Sequence, residues 1–351
     1  MRIIAAIIIL HCVGVMNAQN DFAFNLNKGV ESYKAENYTE GINYLNIALK
    51  NRKLAKNQYQ VAGALMERSL CKMHLKQFSD AQKDVDEALK IKPEFGDLYF
   101  TKSLIYLKNK QYDDAIAWGK EGLKLKPTDD GLMMNILKAN SFKKNHDEVI
   151  RLTDSLISNG ATSAKVFNMK GEALSSQKKY KEAIVIYSKV IETDPRNVHA
   201  LYSRAVASAY EKDFEGSLAD MNRAIDLDTT ARWIGYNNIG FFIKFEQKDY
   251  EGAIEYFNKA IQLQPNSSNA YNNRGYAKLQ LNDLKGARAD IDKAMQIEPE
   301  NPYIYKYLGL YTIAENKSKQ ACQYFEKADK LGYTEQYDNE VVDLIKLHCN
   351  K

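Results

Sequence analysis

The sequence predicts an all-α array of stacked helix pairs. Apolar and small residues recur at helical spacing along nearly the whole chain. The pattern repeats with a period of about 34 residues. Tyr, Lys, Leu, Ala and Asn are plentiful and only six prolines occur, a composition that favours helix over strand. The clearest unit is 269–299. There Ala270, Arg274, Tyr276, Ala277 and Leu281 mark a first helix, and Ala287, Ile291, Ala294 and Met295 one face of a second. Asn282-Asp283 supplies the turn, and Pro299 ends the second helix because proline cannot continue one. A single pair cannot bury its apolar face, so it needs neighbours on both sides.

The chain of 351 residues is 45% hydrophobic and 27% charged, which suits a folded protein rather than a disordered one. The net charge of +4 arises from 49 basic and 45 acidic residues spread along the chain. No Lys/Arg block stands out of the kind that tracks phosphates, which argues against a nucleic-acid partner.

The N-terminus differs in kind. Arg2 carries charge, 3–15 is almost wholly apolar, and Met16-Asn17-Ala18-Gln19 follows. This reads as a secretory leader, 1–18, cleaved after Ala18. The apolar run is short against the roughly 20 residues that span a bilayer, so the mature chain is expected to carry no span. An uncleaved anchor is the alternative. A lipid-anchor reading of Cys12 is weaker, because Leu10-His11 precedes it where a small residue is wanted. The mature chain is therefore expected to be secreted or periplasmic, in an oxidising compartment.

Small residues recur at Gly41, Ala81, Ala115, Ala183, Ser217, Ala253, Ala287 and Ala321, with Val149 in the fourth slot. The steps are 40, 34, 34, 34, 34, 36, 34 and 34 residues. A second small slot follows seven residues later at Ala48, Ala88, Gly122, Ala224, Ala260, Ala294 and Ala328. A third precedes the first by twelve: Gly29, Ser69, Ser103, Gly171, Ala205, Gly275 and Gly309, with Gly240 after a one-residue insertion. Aromatics stand three before the first slot at Tyr38, Phe78, Tyr112, Tyr180, Phe214 and Tyr250. Prolines close units at Pro93, Pro127, Pro195, Pro265 and Pro299. Helices approach closely only where side chains are small, which explains the small slots.

This pattern resembles the tetratricopeptide repeat family, over about 22–331. The resemblance implies a right-handed α-α superhelix of about nine helix-turn-helix repeats, a solenoid over 19–333 with a capping helix at 334–351. The fourth unit is loosely matched: it carries Leu137, His146, Val149 and Leu156 in its slots and ends with Asn159-Gly160. It marks a candidate bend at 130–160. The stretch 50–60 exceeds the period by about six residues, so the first helix B is expected to run on. One-residue insertions are expected around 226–233 and 246–249, with the seventh helix A starting near Trp233. Val341, Val342, Leu344, Ile345 and His348 give the cap one apolar face.

Beyond the leader the cysteines are Cys71, Cys322 and Cys349. If the cap packs antiparallel to the last helix B, Cys322 and Cys349 meet. A disulfide between them, 27 residues apart, would contribute about 3–4 kcal/mol by loop entropy. Cys71 reads as a core residue. His74, His146, His199 and His348 lie in different units with no metal-ligand spacing, and no phosphate loop or nucleophile motif occurs. No cofactor, metal or catalytic activity is expected.

In the family the resemblance names, helix A of each repeat lines the concave face. Asn27, Asn135, Asn168, Asn237, Asn238, Asn272 and Asn273 fall on its inward positions. An amide offers both donor and acceptor, so a row of them can hold a peptide backbone, as in the asparagine ladder of some tetratricopeptide superhelices. Tyr202 and Tyr276 share that face with Met66, Phe100, Leu104, Met134, Phe241, Phe245 and Tyr303, some of them core and some anchors. The Lys/Asn/Arg clamp of relatives that bind acidic chaperone tails is missing at the matching positions. The function expected is a non-catalytic scaffold of the cell envelope that binds a protein or peptide segment. The alternative is glycan or small-ligand binding, against which the scarcity of Trp counts: only Trp118 and Trp233 occur.

Overall fold

The computed structural model describes residues 21–336 and 339–349. The expected leader, 1–18, lies outside them. The described residues form helix pairs and no strand. The pairs are α1 (Phe22–Lys34) with α2 (Tyr38–Lys50), α3 (Gln58–His74) with α4 (Phe78–Ile91), and α5 (Gly96–Lys108) with α6 (Tyr112–Leu125). Next come α7 (Asp130–Phe142) with α8 (His146–Ser158), α9 (Ala164–Ser176) with α10 (Tyr180–Thr193), and α11 (Val198–Tyr210) with α12 (Phe214–Leu227). The last are α13 (Arg232–Asn238) with α14 (Tyr250–Leu263), α15 (Ser268–Gln280) with α16 (Leu284–Ile297), and α17 (Pro302–Ala314) with α18 (Ser318–Lys330). Then come α19 (Tyr333–Gln336) and α20 (Glu340–Cys349). The chain is an all-α repeat solenoid. It divides into two compact units, Met1–Ser155 and Leu156–Lys351.

One turn builds every pair. Glu36, Lys76, Lys110, Lys144, Lys178, Lys212, Lys248, Asn282 and Asn316 all adopt left-handed backbone. The following N–H then bonds back into the last turn of helix A, as Asn145 N–H donates to Asn140 O at 2.9 Å and Asp283 N–H to Lys278 O at 2.9 Å. In the sixth to eighth pairs, helix B opens on an aspartate cap: Asp213, Asp249 and Asp283 each accept from the N–H three residues on, at 2.9 Å.

The small slots are the crossing points. Ala81, Ala115, Ala183, Ser217, Ala253, Ala287 and Ala321 are fully buried. At Gly171 an added Cβ would stand 2.5 Å from the ring of buried Tyr187, so only glycine lets helix A lie against that ring. The helix-B aromatics do more than fill space beside the small slot. Tyr38 stacks on His74 at 4.4 Å, Tyr112 on Phe142 at 5.4 Å and Tyr180 on Tyr210 at 4.5 Å, each ring reaching the next repeat's helix A.

A second device recurs in both units. Arg274 donates twice to Asp290, at 2.6 and 2.8 Å, and once to Asn258 of the preceding helix B at 2.6 Å. Arg68 makes the same bonds to Asp84 and Asn46, and Arg204 to Asp220 and Ser188. Each arginine thus ties one helix A to two helices B. The planar guanidinium suits this fork, and the aspartates are nearly buried, so the geometry is confined.

Two of the expectations about insertions need correction. The first helix B does not run on: α2 ends at Lys50, a 3₁₀ turn covers Arg52–Leu54, and α3 is lengthened at its start. The seventh helix A does begin close to Trp233, at Arg232. The expected loop insertion near 226–233 is absent, because 228–231 has the same length as the corresponding 194–197. One extra residue is absorbed in helix A, with Ile239–Phe245 in π-helical form, and the other lies where expected, in the closing turn 246–249, one residue longer than the corresponding 211–213. Adding a residue to a helix widens one turn without losing backbone bonds, which costs less than opening a packed loop.

At the end, α20 packs on α18. Cys322 and Cys349 stand at disulfide distance, with Cα atoms 5.6 Å apart. Lys306 Nζ donates to Tyr333 Oη at 3.1 Å and pairs with Glu340 at 2.5 Å. Val341 and Tyr333 are buried against the last repeat.

Candidate functional site

Within the second unit, successive A helices line a cavity of about 250 Å³. Asn237, Asn238, Phe241 and Phe242 come from the seventh helix A, through α13 and its π-helical continuation. Asn269, Asn272 and Asn273 come from α15, and Tyr303 from α17. Helical spacing explains the grouping: positions three and four apart share a face, and consecutive A helices present the same face. The lining holds amides and aromatic rings and no charged side chain. It can therefore exchange hydrogen bonds with a neutral polar ligand and pack apolar groups, but it has no charge to recognise.

Four of the predicted asparagines meet here: Asn237, Asn238, Asn272 and Asn273. Asn273 Nδ2 donates to Asn237 Oδ1 at 3.1 Å, joining two neighbouring A helices. Asn272, which the sequence leaves with no packing duty, is 1% exposed, so it is packed as well as polar. Its Oδ1 has no hydrogen-bond partner.

The other predicted positions lie elsewhere. Asn168 and Tyr202 occupy α9 and α11, each with a buried side-chain oxygen that makes no hydrogen bond. Tyr276 lies between Phe245 and Tyr307, at ring distances of 4.8 and 4.3 Å, and is a stacking residue. Burial pushes the Tyr202 and Tyr276 phenols up to about 12, so both remain neutral donors at any physiological pH. In the first unit, Asn135 is buried and its Nδ2 donates to Phe100 O at 3.5 Å. Asn27 is exposed and lines a separate cavity of about 380 Å³ with Leu26, Val30, Tyr59, Gln60 and Glu67. Burial raises the Glu67 carboxyl there.

Asn269 and Phe242 join the site without having been predicted. Asn269 sits on an inward position of the repeat and could have been found by counting. Phe242 reaches the cavity from the π-helical stretch, which no periodic count anticipates.

The remaining chemistry is plain. Burial pushes the Cys71 thiol up to about 11, which makes it an inert core group. His199 bonds Glu172 at 2.8 Å and is raised by that bond. Among the described residues, no three His, Cys, Asp or Glu side chains gather as a metal site, and no helix is long and apolar enough to cross a membrane.

A stack of two-helix repeats closed by one recurring turn defines a class, and comparison with known proteins gives it a family. Tetratricopeptide repeat models match 75–130, 164–197 and 268–301, and a TPR repeat model matches 243–282. The chain belongs to the tetratricopeptide repeat family, whose repeats generally make protein-interaction scaffolds. A tetratricopeptide repeat protein from Parabacteroides merdae superposes with a TM-score of 0.64 at 17% identity, covering 73% of this chain and 99% of that one. The C-terminal part of a TPR repeat-containing protein from Cytophaga hutchinsonii superposes at 0.56 and 20% identity, covering 71% and 98%. Both likenesses are of fold. In sequence, a DnaJ homolog subfamily C member 3 homolog from Dictyostelium discoideum is 39% identical over 62 residues. That match spans 18% of this chain and 12% of the relative's length.

Proposed function

We propose that the chain is a non-catalytic scaffold that holds a segment of a partner protein against the A-helix face of its second unit. The observation that carries this reading is the cavity itself, drawn from successive A helices and lined by four of the predicted asparagines. Amides supply paired donors and acceptors to a backbone, and Phe241, Phe242 and Tyr303 supply apolar contact. The sequence of 1–18 supports a location outside the cytoplasm, in the cell envelope or beyond it. The test is affinity capture with the wild-type chain and with a variant in which Asn237, Asn238, Asn272 and Asn273 are all alanine. A partner held by the wild type and released by the variant, with helical content equal in the two, supports the reading. A partner held equally by both removes the cavity from the function.

A further inference from the structure

A cavity in the first unit belongs neither to the repeat frame nor to the face proposed for segment binding. It is lined by Leu26, Asn27 and Val30 of α1 and by Tyr59, Gly63 and Glu67 of α3, among others. Its volume of about 380 Å³ falls in the range of small-ligand sites, about 300–1,000 Å³. The insertion before α3 builds one wall. α3 runs for 17 residues where α1, α5 and α7 run for 13. The added turn carries Tyr59, and Gln60 N–H donates to Asn57 Oδ1 at 3.1 Å to cap it. Tyr59 Oη donates to Glu94 at 3.2 Å, which fixes the ring.

Two residues in this cavity have no duty in the fold. Glycine inside a helix weakens it relative to alanine. The other described glycines of the first unit stand where a Cβ would crowd a neighbour at 3.0 Å or less. A Cβ on Gly63 would meet nothing within 4 Å, and its backbone is helical, so neither packing nor conformation asks for glycine. Its missing side chain leaves the cavity open. Glu67 is half-buried and makes no hydrogen bond or ion pair among the described residues. The cations of these helices are engaged elsewhere: Lys28 pairs with Glu31 at 2.7 Å, and Arg68 and Lys72 with Asp84 at 2.6 and 2.7 Å. Lys34 acts on Glu67 only at longer range, and burial raises the carboxyl. A carboxylate short of water and of partners gains from a cation brought to it.

We propose that this cavity binds a primary alkylammonium group, with the ammonium on Glu67 and Asn27 and the alkyl stem along Leu26 and Val30. An ammonium carries three N–H donors and no acceptor. The Glu67 oxygens and the side-chain carbonyl of Asn27, which makes no hydrogen bond among the described residues, accept them. Leu26 and Val30 give methylenes an apolar wall that a bare metal ion does not use. One carboxylate is too few for a divalent metal, and among the described residues no three His, Cys, Asp or Glu side chains gather. The Tyr59 ring, 47% exposed, already holds Lys92 Nζ 4.3 Å from its centroid, so it is a surface that attracts an ammonium. A lysine side chain of a partner and a free polyamine share this chemistry. The site does not rest on the segment binding proposed for the second unit.

The experiment is calorimetric titration of the full chain with three probes: N-acetyl-lysine methylamide, N-acetyl-norleucine methylamide, which keeps the stem and lacks the ammonium, and spermidine. The lysine amide or spermidine should bind at least tenfold more tightly than the norleucine amide, and the tighter of the two names the source of the amine. Glu67→Gln, which removes the charge and keeps the shape, should weaken that binding tenfold or more. Gly63→Leu fills the open space and should weaken it as much while the melting temperature holds or rises, so a loss of binding there is not a loss of fold. Equal binding of the lysine and norleucine amides with spermidine no tighter, amine binding that survives Glu67→Gln, or no binding of either amine at tens of millimolar would each overturn the inference.

Discussion

The two units share one backbone device and differ in one slot. Three residues before the small helix-A residue, the first unit carries Leu26, Met66, Phe100 and Met134. The second carries Asn168, Tyr202, Asn237 and Asn272 at the same position, and Lys306 ends the series against Glu340 and Tyr333. The turns, the small crossing residues and the arginine forks occur in both units. The repeat frame is therefore set by turn, crossing and fork residues outside this slot, which leaves the slot free to change from apolar to polar. Stability and binding should separate accordingly.

The largest effect should fall on the second unit alone. Cys349→Ser removes the crosslink to Cys322 and should cost about 3–4 kcal/mol in urea unfolding under non-reducing conditions. The forks should be alike in the two units. Asp84→Ala and Asp290→Ala each strand a half-buried arginine and a lysine, so each should cost about 3 kcal/mol. Unequal costs would show that the two frames are not equivalent. Ala287→Leu overpacks a fully buried crossing and should cost about 1–3 kcal/mol while segment binding is unchanged. The smallest effect concerns pH. The bond to Glu172 raises His199 above the ordinary histidine value of about 6.5. Its stabilisation is fully present below about 6.5 and disappears as pH rises through the raised value. The pair is half-exposed, so His199→Asn should lower stability by a few tenths of a kcal/mol at pH 5.5 and by nothing measurable at pH 9.

The repeat frame was legible because it is local. The left-handed turn residues follow the same steps as the small slots, and Lys144 shows that the fourth repeat closes like the others although Leu137 and Val149 replace small residues. That turn depends on backbone bonds, so bulkier slots do not erase it. The π-helical stretch was not legible, since one extra residue reads the same whether a loop or a helix absorbs it. The forks were readable in principle: Arg68 and Asp84, Arg204 and Asp220, and Arg274 and Asp290 are all 16 residues apart. That spacing links two helices, and helical periodicity within one element does not reveal it. At the site, the sequence marks Asn272 and Asn273 alike as polar. Only packing separates Asn272, buried with an unpartnered oxygen, from Asn273, bonded to Asn237.

The central claim is that binding of the partner segment belongs to the polar slots of the second unit. The direct measurement is calorimetric titration of one captured segment against three chains. These are the wild type, a first-unit variant with Met66, Phe100 and Met134 changed to alanine, and a second-unit variant with Asn237, Asn238, Asn272 and Asn273 changed to alanine. Affinity should fall at least tenfold in the second-unit variant and less than threefold in the first-unit variant. Undiminished affinity in the second-unit variant, or a larger loss in the first, would contradict the account.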